Sequence, residues 1–412
     1  MSRMQTENRA YFKTLLVHTF RDVMLLSQWC CTAPYPLDPY QRTTRYRQTI
    51  IKKLRRVVSV VLLAVLFTAP FMLYFLDSGQ IYVYSIPLSI KLMYYVQTAI
   101  QTSSMAYVLL VYQFRTNIHR FYFDRLVCVL EEFGRPDIDA RLRTLRRNVR
   151  RTLPAILLYI VLTLASYILR EQSWTAVLKI VIFLAAQMMS TSFTLLYVTV
   201  LGTVSILLRQ MNDTLESILG GVATNGKTIN KPISLIAKPV HLTRDDERTV
   251  EKIRHLQLKL LQIVLRINGG EYGQLLIMIL LATFIFLNTE LLQLYQGIKA
   301  GAFSYAVIGS KLLNSAYKIG MLFLFAYPNR MIQTQNIRGL KVLYELNKPG
   351  NDPRCIDITN RFLSQTSLFL EKAHEVYGMI SIDMTLILSV VGGLTNILVV
   401  LVQFADAKPA PT

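Results

Sequence analysis

A stretch near the end of the chain carries polar side chains at a helical spacing. It reads MTLILSVVGGLTNILVVLVQF over residues 384–404. Successive residues of an α-helix lie about 100° apart, so residue numbers alone place side chains around the axis. Thr385, Ser389, Gly392, Asn396, Val399 and Val400 all lie within about 60° of Gln403, and the polar and small residues among them share one face. Hydroxyl and amide groups along one face, beside apolar residues that can exclude water, could line a pore for ions.

The same stripe has a second interpretation from the residues alone. Membrane helices that pack closely place Gly, Ser and Thr at the contact, and an Asn there can hydrogen-bond to a neighbouring helix. Both interpretations remain open at this level. A pore has one further requirement, because a single helix cannot enclose a channel and several copies of the chain would have to assemble.

A second group of residues could bind a small molecule. Its members are aromatic, amide or charged side chains in the outer halves of apolar segments: Tyr94, Tyr95, Gln97, Tyr167, Gln187, Asn288, Glu290, Lys311 and Asn314. Aromatic rings with a few convergent polar groups are typical of a ligand pocket. The alternative is an aromatic belt with lysines that extend to the membrane surface. That alternative explains Glu290, Lys311 and Gln187 less well, because they lie deeper, and we expect Glu290 and Lys311 to pair across spans five and six.

The chain carries no recognisable catalytic or metal-binding motif. It has no phosphate-binding Walker loop, no His-Glu-x-x-His and no Gly-x-Ser-x-Gly. The five histidines are scattered, without the spacing that metal ligands require. We therefore expect a protein that is not an enzyme, with no catalytic residue, no metal site and no cofactor.

The composition indicates a membrane protein. Of the 412 residues 52% are hydrophobic and only 17% are charged, and the net charge is +20. Basic chains can bind nucleic acid, but here the Lys and Arg residues lie between apolar runs long enough to cross a bilayer, which argues against a nucleic-acid partner. We expect seven transmembrane helices in contact with membrane lipid. The predicted spans are about 57–76, 90–114, 153–169, 176–208, 273–298, 302–327 and 378–404.

The distribution of basic residues predicts the orientation. Residues 1–56, 115–152, 209–272 and 329–377 hold 11, 10, 10 and 7 Lys or Arg residues, 38 of the 45 in the chain. Each of the alternate connections holds at most one. Cytosolic loops carry the excess of positive charge. We therefore expect an all-α, polytopic membrane protein with a cytosolic N-terminus, an extracellular C-terminus and long helices that extend into the cytosol.

Four regions follow from this orientation. Residues 1–56 form a cytosolic N-terminal segment, and 57–404 form the seven-helix transmembrane channel or receptor domain. Residues 220–244 are rich in Gly, Asn, Pro and Lys, which predicts a disordered cytosolic loop. Residues 405–412 form a short extracellular tail.

Two amphipathic segments should lengthen spans into the cytosol. Apolar residues recur at helical period over 248–268 and over 355–377. We expect the first segment to extend the fifth span downward. We expect the second to be a helix that leads into the seventh span.

The end of the predicted seventh span resembles the signature of the insect gustatory receptors. That signature is Thr-Tyr, five hydrophobic residues and then Gln-Phe. Here Asn396-Ile397 are followed by LVVLV at 398–402 and then by Gln403-Phe404. The spacing and the Gln-Phe agree, whereas the Thr-Tyr is replaced. The number of spans, the orientation, the length and the short tail also agree, so the resemblance covers the whole chain.

The resemblance implies a ligand-gated cation channel in the plasma membrane of chemosensory neurons. Members of the family assemble as homotetramers or heterotetramers, in which four seventh spans line one pore. Gln403 and Phe404 would form the outer constriction, with Asn396, Val399 and Val400 in the wall beneath it. The ligand, a small-molecule tastant, would bind in an outward-facing pocket of spans two to six.

One difference between this chain and the sugar-sensing members of the family indicates the class of ligand. Sugar-sensing members of the family carry a Glu directly after the Tyr of the signature, where this chain has Leu398. The resemblance therefore implies a bitter or otherwise aversive tastant rather than a sugar. The alternative function is a membrane transporter or an accessory membrane protein, although transporters usually show two related halves and this chain has no internal repeat.

Overall fold

The structure is a computed structural model of the chain. It describes residues 2–33, 45–76, 88–114, 117–133, 137–170, 174–224, 243–299, 301, 305–348, 353–372 and 375–406. Within these ranges the chain forms eleven helices and one two-stranded hairpin, which confirms the all-α fold class. The elements are α1 (Ser2–Trp29), α2 (Arg45–Leu76), α3 (Leu88–Phe114), α4 (Asn117–Phe133), α5 (Asp137–Arg170), α6 (Trp174–Thr224), α7 (Arg244–Gly269), α8 (Glu271–Lys299), α9 (Tyr305–Leu346), α10 (Pro353–Lys372), β1 (Glu375–Val376), β2 (Ile380–Ser381) and α11 (Met384–Asp406).

Helix α6 is the centre of the bundle. It is 51 residues long and packs against α1, α5 and α9, with Leu201, Val204 and Leu207 fully buried. Ser and Thr residues are frequent in this helix. They do not interrupt it, because hydroxyls such as those of Thr191 and Thr199 bond to the carbonyl four residues earlier. Their polar groups are satisfied within the helix, so α6 can lie inside the bundle.

Three described segments are long and apolar enough to cross a membrane, judged by length and composition. They are Asp137–Leu169 in α5, Ile180–Leu219 in α6 and Tyr272–Lys299 in α8. The apolar part of α11, Met384–Ile397, is shorter. Helices α2 and α3 contain the first two predicted spans. Helix α9 contains the described part of the sixth, where Lys311 and Lys318 reduce the hydropathy.

The predicted disordered loop at 220–244 is bordered by helix on both sides. Helix α6 continues to Thr224, so the first residues of the predicted loop are helical. Helix α7 begins at a capping box in which Thr243 and Asp246 each accept a hydrogen bond from the other's backbone N–H. Residues 225–242 lie outside the described residues.

The helix before the fifth span is a separate element, which corrects the expectation that it extends that span downward. Helix α7 ends at Gly269, and Gly270 is extended, so α8 starts afresh at Glu271. The two helices approach closely at this break. A side chain at Gly273 would collide with the carbonyl oxygen of Asn268, so only glycine fits there.

A hairpin also separates α10 from the seventh span, where the sequence predicted a helix leading into it. Strands β1 and β2 are antiparallel. Tyr377 and Gly378 in the turn both have positive φ angles, 53° and 65°, as tight turns between twisted strands require. Helix α11 then begins at Met384 rather than at 378. Asp383 caps it, because its carboxylate accepts a hydrogen bond from the Thr385 backbone N–H at 2.8 Å.

Ion pairs join three helices at the ends that the sequence predicts to be cytosolic. Asp213 of α6 lies 2.7 Å from Arg141 of α5 and 2.8 Å from Arg338 of α9. Arg338 also pairs with Glu216 of α6. Burial acts to raise the pKa of Asp213, but the hydrogen bonds from Arg141 and Arg338 outweigh it and hold that pKa below its ordinary value.

Candidate functional site

The predicted pore stripe lies on the exposed side of α11. Its members with described side chains are all exposed in the single chain: Thr385, Ser389, Gly392, Asn396, Val399, Val400 and Gln403. A Cβ added to Gly392 would meet no atom within 4 Å. Phe404 belongs to α11, and its side chain lies outside the described residues.

The opposite face of α11 packs against α8 and α9 of the same chain. Leu394 is 8% exposed, and Leu386 and Val390 pack on the buried core. Gly393 lies against Phe284 of α8, where an added Cβ would be 3.3 Å from the ring. In the described part of α11, the polar stripe is therefore not the face through which the helix packs within its own chain.

A polar cluster joins α3, α8 and α9 in the predicted outer half of the bundle. Lys311 pairs with Glu290 at 3.1 Å, as the sequence predicted, and both side chains are nearly buried. The Tyr94 hydroxyl lies 2.8 Å from a Glu290 carboxylate oxygen and 2.7 Å from the Gln293 side-chain oxygen, and it can donate its single proton to one of them at a time. Lys311 also contacts Gln293. Gln293 was missed from the sequence, although it lies three residues after Glu290 and so shares its helical face.

A second cluster lies between α5, α6 and α9. Tyr159 stacks on Tyr317 with ring centroids 3.8 Å apart, and its hydroxyl donates to Asn314 at 3.1 Å. Tyr317 also shares a hydrogen bond with Thr191. Gln187, one turn before Thr191 on α6, is 2% exposed, and neither atom of its amide forms a well-aligned hydrogen bond with a described residue. The Tyr317 side chain lies within interaction range of this amide. Buried amides are normally fully paired, so Gln187 has spare capacity for a bound molecule beside Tyr317.

Lys318 is a buried cation that the sequence expectation overlooked. It is 6% exposed, and its Nζ lies 5.4 Å from the centre of the Phe286 ring. Phe286 in turn stacks on Phe183 of α6. No ion pair joins Lys318 to a carboxylate in the described part of the chain. Its position inside the predicted sixth span was the available signal, because an ionisable residue within a membrane is seldom without a function.

Of the other predicted pocket residues, Tyr167 lies within electrostatic range of Tyr159, whereas the described contacts of Gln97 and Asn288 are within their own helices. Gln97 is buried and lies 3.5 Å from Gln101 of its own helix, and Asn288 donates to the Phe284 carbonyl one turn earlier. Tyr95 is 42% exposed, and Tyr167 is half-buried. Sequence depth alone could not show which face of each helix meets a neighbour.

A third polar cluster, nearer the cytosolic end, was also missed. Asn329 of α9 donates to the Tyr197 hydroxyl at 2.7 Å, and that hydroxyl donates to Asn268 of α7 at 3.0 Å. All three residues are almost completely buried. A satisfied network of this kind specifies how helices α6, α7 and α9 pack.

The chemistry that these clusters can perform is recognition. They offer amide, ammonium and phenol groups beside aromatic rings, which suit the binding of a small organic molecule. Among the described residues, no group of three or more His, Cys, Asp or Glu side chains is placed to hold a metal ion.

Comparisons with known proteins identify the family. The sequence pattern of the 7tm chemosensory receptor family matches residues 22–408. The fold is similar to that of the insect olfactory receptor OR5 from Machilis hrabei in complex with eugenol, with a TM-score of 0.67 and 11% identity over 94% of this chain and 99% of that one. A second structure of the insect olfactory receptor OR5 from Machilis hrabei gives a TM-score of 0.63 and 11% identity over 95% of this chain and 99% of that one. A comparison with curated protein sequences finds no match. Because the pattern covers nearly the whole chain, the protein belongs to the 7tm chemosensory receptor family.

Proposed function

We propose that the chain is a gustatory receptor that acts as a ligand-gated cation channel in the plasma membrane of chemosensory neurons. The observation that carries the proposal is the exposed polar stripe of α11. Asn396 and Gln403 are exposed in the single chain, and both lie in α11, which is the most apolar helix in the second half of the described chain. Exposed amides are costly in a membrane unless they face water or a partner.

Four copies of α11 around one axis would give these amides both water and partner helices to face. Gln403 and Phe404 would form the outer constriction, and Asn396, Val399 and Val400 would line the wall below it. The hydroxyls at the cytosolic end of the stripe would continue the path. The family resemblance favours a tetramer, either of this chain alone or with related receptors.

Contacts between α8 and α11 provide a route from ligand to pore. The hairpin that precedes α11 rests on the break between α7 and α8, where the Tyr377 hydroxyl donates to the Gly270 carbonyl at 2.9 Å. Val376 of the hairpin is fully buried and lies over Gly273. Higher on α11, Gly393 lies against Phe284 of α8. A ligand that displaces α8 would therefore move α11 at two points, provided that it binds the open state more tightly than the closed one.

The ligand is proposed to be a small organic tastant bound between α5, α6, α8 and α9. Gln187 offers a buried amide without a well-aligned hydrogen bond among the described residues, Lys318 offers an ammonium, and Tyr317 and Phe286 offer ring faces. A ligand with an acceptor group and a flat apolar part would use all of them. The structural neighbour in complex with eugenol supports a small organic ligand. Leu398, in place of the Glu of sugar-sensing receptors, favours a bitter or aversive compound over a sugar.

The first test is electrical. Whole-cell current is recorded from cells that express the chain alone, while bitter compounds and sugars are applied outside and G-protein cycling is blocked inside. We expect a cation current evoked by a bitter compound. A response only after co-expression of other family members would indicate a heterotetramer. Silence in both cases, with the protein at the surface, would contradict the channel proposal.

A second test addresses the pore directly. Cysteine is introduced at Asn396, on the stripe, and at Val391, which is 54% exposed on another face of the helix. A charged methanethiosulfonate reagent is then applied outside during ligand-evoked current. We expect rapid block with Asn396→Cys and little change with Val391→Cys, because only a water-filled pore delivers a charged reagent to the thiol. Equal reaction rates at both sites would contradict a pore along the stripe.

The native cysteines give a low background for this test. Cys31 and Cys355 are buried, and burial raises the pKa of Cys30 to about 11. Because the thiolate is the reactive form, these thiols should react slowly at neutral pH. The unmodified chain treated with the same reagent is the control.

A further inference from the structure

A basic groove lies between α1 and α5, in the region predicted to be cytosolic. It has a volume of about 570 Å³, which is within the range of small-molecule sites. Its walls are formed by Tyr11, Thr14, Leu15, His18, Thr19, Asp139, Arg143, Arg146, Arg147 and Arg150. Four arginines and one carboxylate on the walls give the groove a positive charge.

Two of the four arginines are already used in the fold. Arg146 pairs with Asp22 of α1 at 3.0 Å, and the hydrogen bond between these two side chains lowers the pKa of Asp22. Arg146 also contacts the His18 ring. Arg143 pairs with Asp139 one turn earlier on α5. These pairs position α1 against α5 and shape the groove.

The other two arginines have unused binding capacity. Arg147 and Arg150 line the groove, are exposed, and form no ion pair or hydrogen bond with any residue that the structure describes, although Arg150 lies within electrostatic range of Asp22. Like charges at this spacing on a helix repel each other, so their placement on one wall costs stability in the empty groove. An anion that is bound by both would remove that cost. Guanidinium groups bind phosphate oxygens in pairs, which favours a phosphate over a simple halide.

The depth of the groove points to the same class of ligand. The apolar part of α5 begins near Leu153, so Arg150 lies about 5 Å and Arg146 about 10 Å below the hydrocarbon edge. The position of Trp29 supports the same placement of the membrane surface. Trp29 is 84% exposed and lies about 10 Å beyond Asp22 along α1. Because Trp is enriched at membrane interfaces, Trp29 is expected at the interface and Asp22 below it. Ordinary head groups occupy roughly 5 to 8 Å on each side. The groove therefore starts within the head-group layer and continues below it.

We propose that this groove binds clustered phosphomonoester groups of the kind carried by phosphorylated inositol. The upper part, at Arg150, would hold the phosphate nearest the membrane, and Arg147 would hold a phosphate that projects further into the cytosol. The source is either a phosphoinositide of the inner leaflet or a free inositol phosphate. Bound there, the ligand bridges α1 to α5, and α5 is joined to α6 and α9 through Arg141 and Asp213.

The proposal is tested by direct binding to the purified full-length protein. The probes are dioctanoyl phosphatidylinositol 4,5-bisphosphate, inositol 1,4,5-trisphosphate and dioctanoyl phosphatidylserine, each titrated and followed by native mass spectrometry at two salt concentrations. We expect the two inositol probes to bind more tightly than the serine lipid. If the bisphosphate lipid binds more tightly than inositol trisphosphate, the natural ligand is a membrane lipid. If inositol trisphosphate binds as tightly or more tightly, the ligand is a soluble inositol phosphate. Equal binding of phosphatidylserine, or no binding of either inositol probe, would overturn the proposal.

Variants separate the groove from general surface charge. The double variant Arg147→Gln/Arg150→Gln should weaken binding roughly 30-fold, since each basic residue near an anionic head group contributes about a fivefold factor. Arg151→Gln is the matched control, because Arg151 is the next residue on α5, is exposed, and is not among the groove residues. An equal loss in the control would overturn the assignment to the groove.

A gain-of-binding variant guards against misfolding of the double variant. Asp139→Asn removes the negative charge from the groove wall and frees Arg143 from its pair. It should tighten binding of the inositol probes about fivefold. Unchanged or weaker binding would contradict the proposal independently of the double variant.

Discussion

Gly393 of α11 lies directly against the ring of Phe284 in α8, and a Cβ at Gly393 would be 3.3 Å from two ring carbons. The preceding residue, Gly392, would meet no atom within 4 Å. Adjacent glycines thus have opposite surroundings, one in the contact with α8 and one in the exposed stripe. The contact ties the proposed pore helix to a helix of the proposed ligand region.

This pair of glycines gives the first prediction. Gly393→Ala and Gly392→Ala gain the same helix propensity, about 1 kcal/mol, so the difference between them isolates the ring contact. Overpacking costs about 1 kcal/mol or more, and we expect the Gly393 variant to have the lower Tm of the two, measured by fluorescence-detected unfolding in detergent. If the Gly393 variant has a Tm at least as high as that of the Gly392 variant, the Phe284 ring moves aside without a loss of stability, and the prediction is wrong.

The buried pair of Glu290 and Lys311 gives the second prediction. Removal of one partner leaves a charge unpaired in a nearly buried site, which costs about 3 kcal/mol or more. Glu290→Gln and Lys311→Met should therefore each reduce Tm and surface expression strongly. The double variant Glu290→Gln/Lys311→Met leaves no unpaired charge and should recover most of the loss. If the decrease in Tm of the double variant equals the sum of the two single decreases, the interaction between Glu290 and Lys311 contributes little to stability.

Lys318 should respond in the opposite way. It has no carboxylate partner in the described structure, and Met has a similar shape without the charge, so Lys318→Met removes a desolvated ammonium and should leave Tm equal or higher. The control is Lys311→Met, the same change two turns earlier on α9. If Lys318 also contacts the ligand, the variant should need at least tenfold more agonist for half-maximal current. A stable variant with unchanged agonist sensitivity would remove Lys318 from the proposed ligand region.

Asp213 should make stability depend on pH. Its pKa is held below the ordinary value of 3.8 by Arg141 and Arg338. The charged form is therefore favoured in the folded state, and its contribution to stability is present above that value and is lost as pH falls through the lower folded pKa. We expect Asp213→Asn to reduce Tm at pH 6 and to differ less from the unmodified protein as the pH approaches 3. A difference that stays constant with pH would mean that this carboxylate does not carry the effect.

Several properties follow from the sequence by itself. Apolar runs separated by basic loops indicate a membrane protein and predict a cytosolic N-terminus, because hydrocarbon excludes charge and positive loops stay inside. Residue numbers alone place Asn396 and Gln403 on one face of a helix. The depth of Glu290 and Lys311 was enough to predict their pairing, since opposite charges inside a membrane must find each other.

Other features could not be derived from the hydrophobic pattern. Periodicity did not show that α7 stops at Gly269, because the break is a local backbone feature of Gly269-Gly270, where Gly270 is extended and α8 starts afresh. It also could not choose between packing and exposure for the stripe of α11. Any face of small residues suits either role, and the choice depends on where Phe284 lies. Lys318 and Tyr317 are adjacent on α9 and Gln187 lies on α6, so only the packing of these two helices shows that a cation, a phenol and a buried amide lie in the same region.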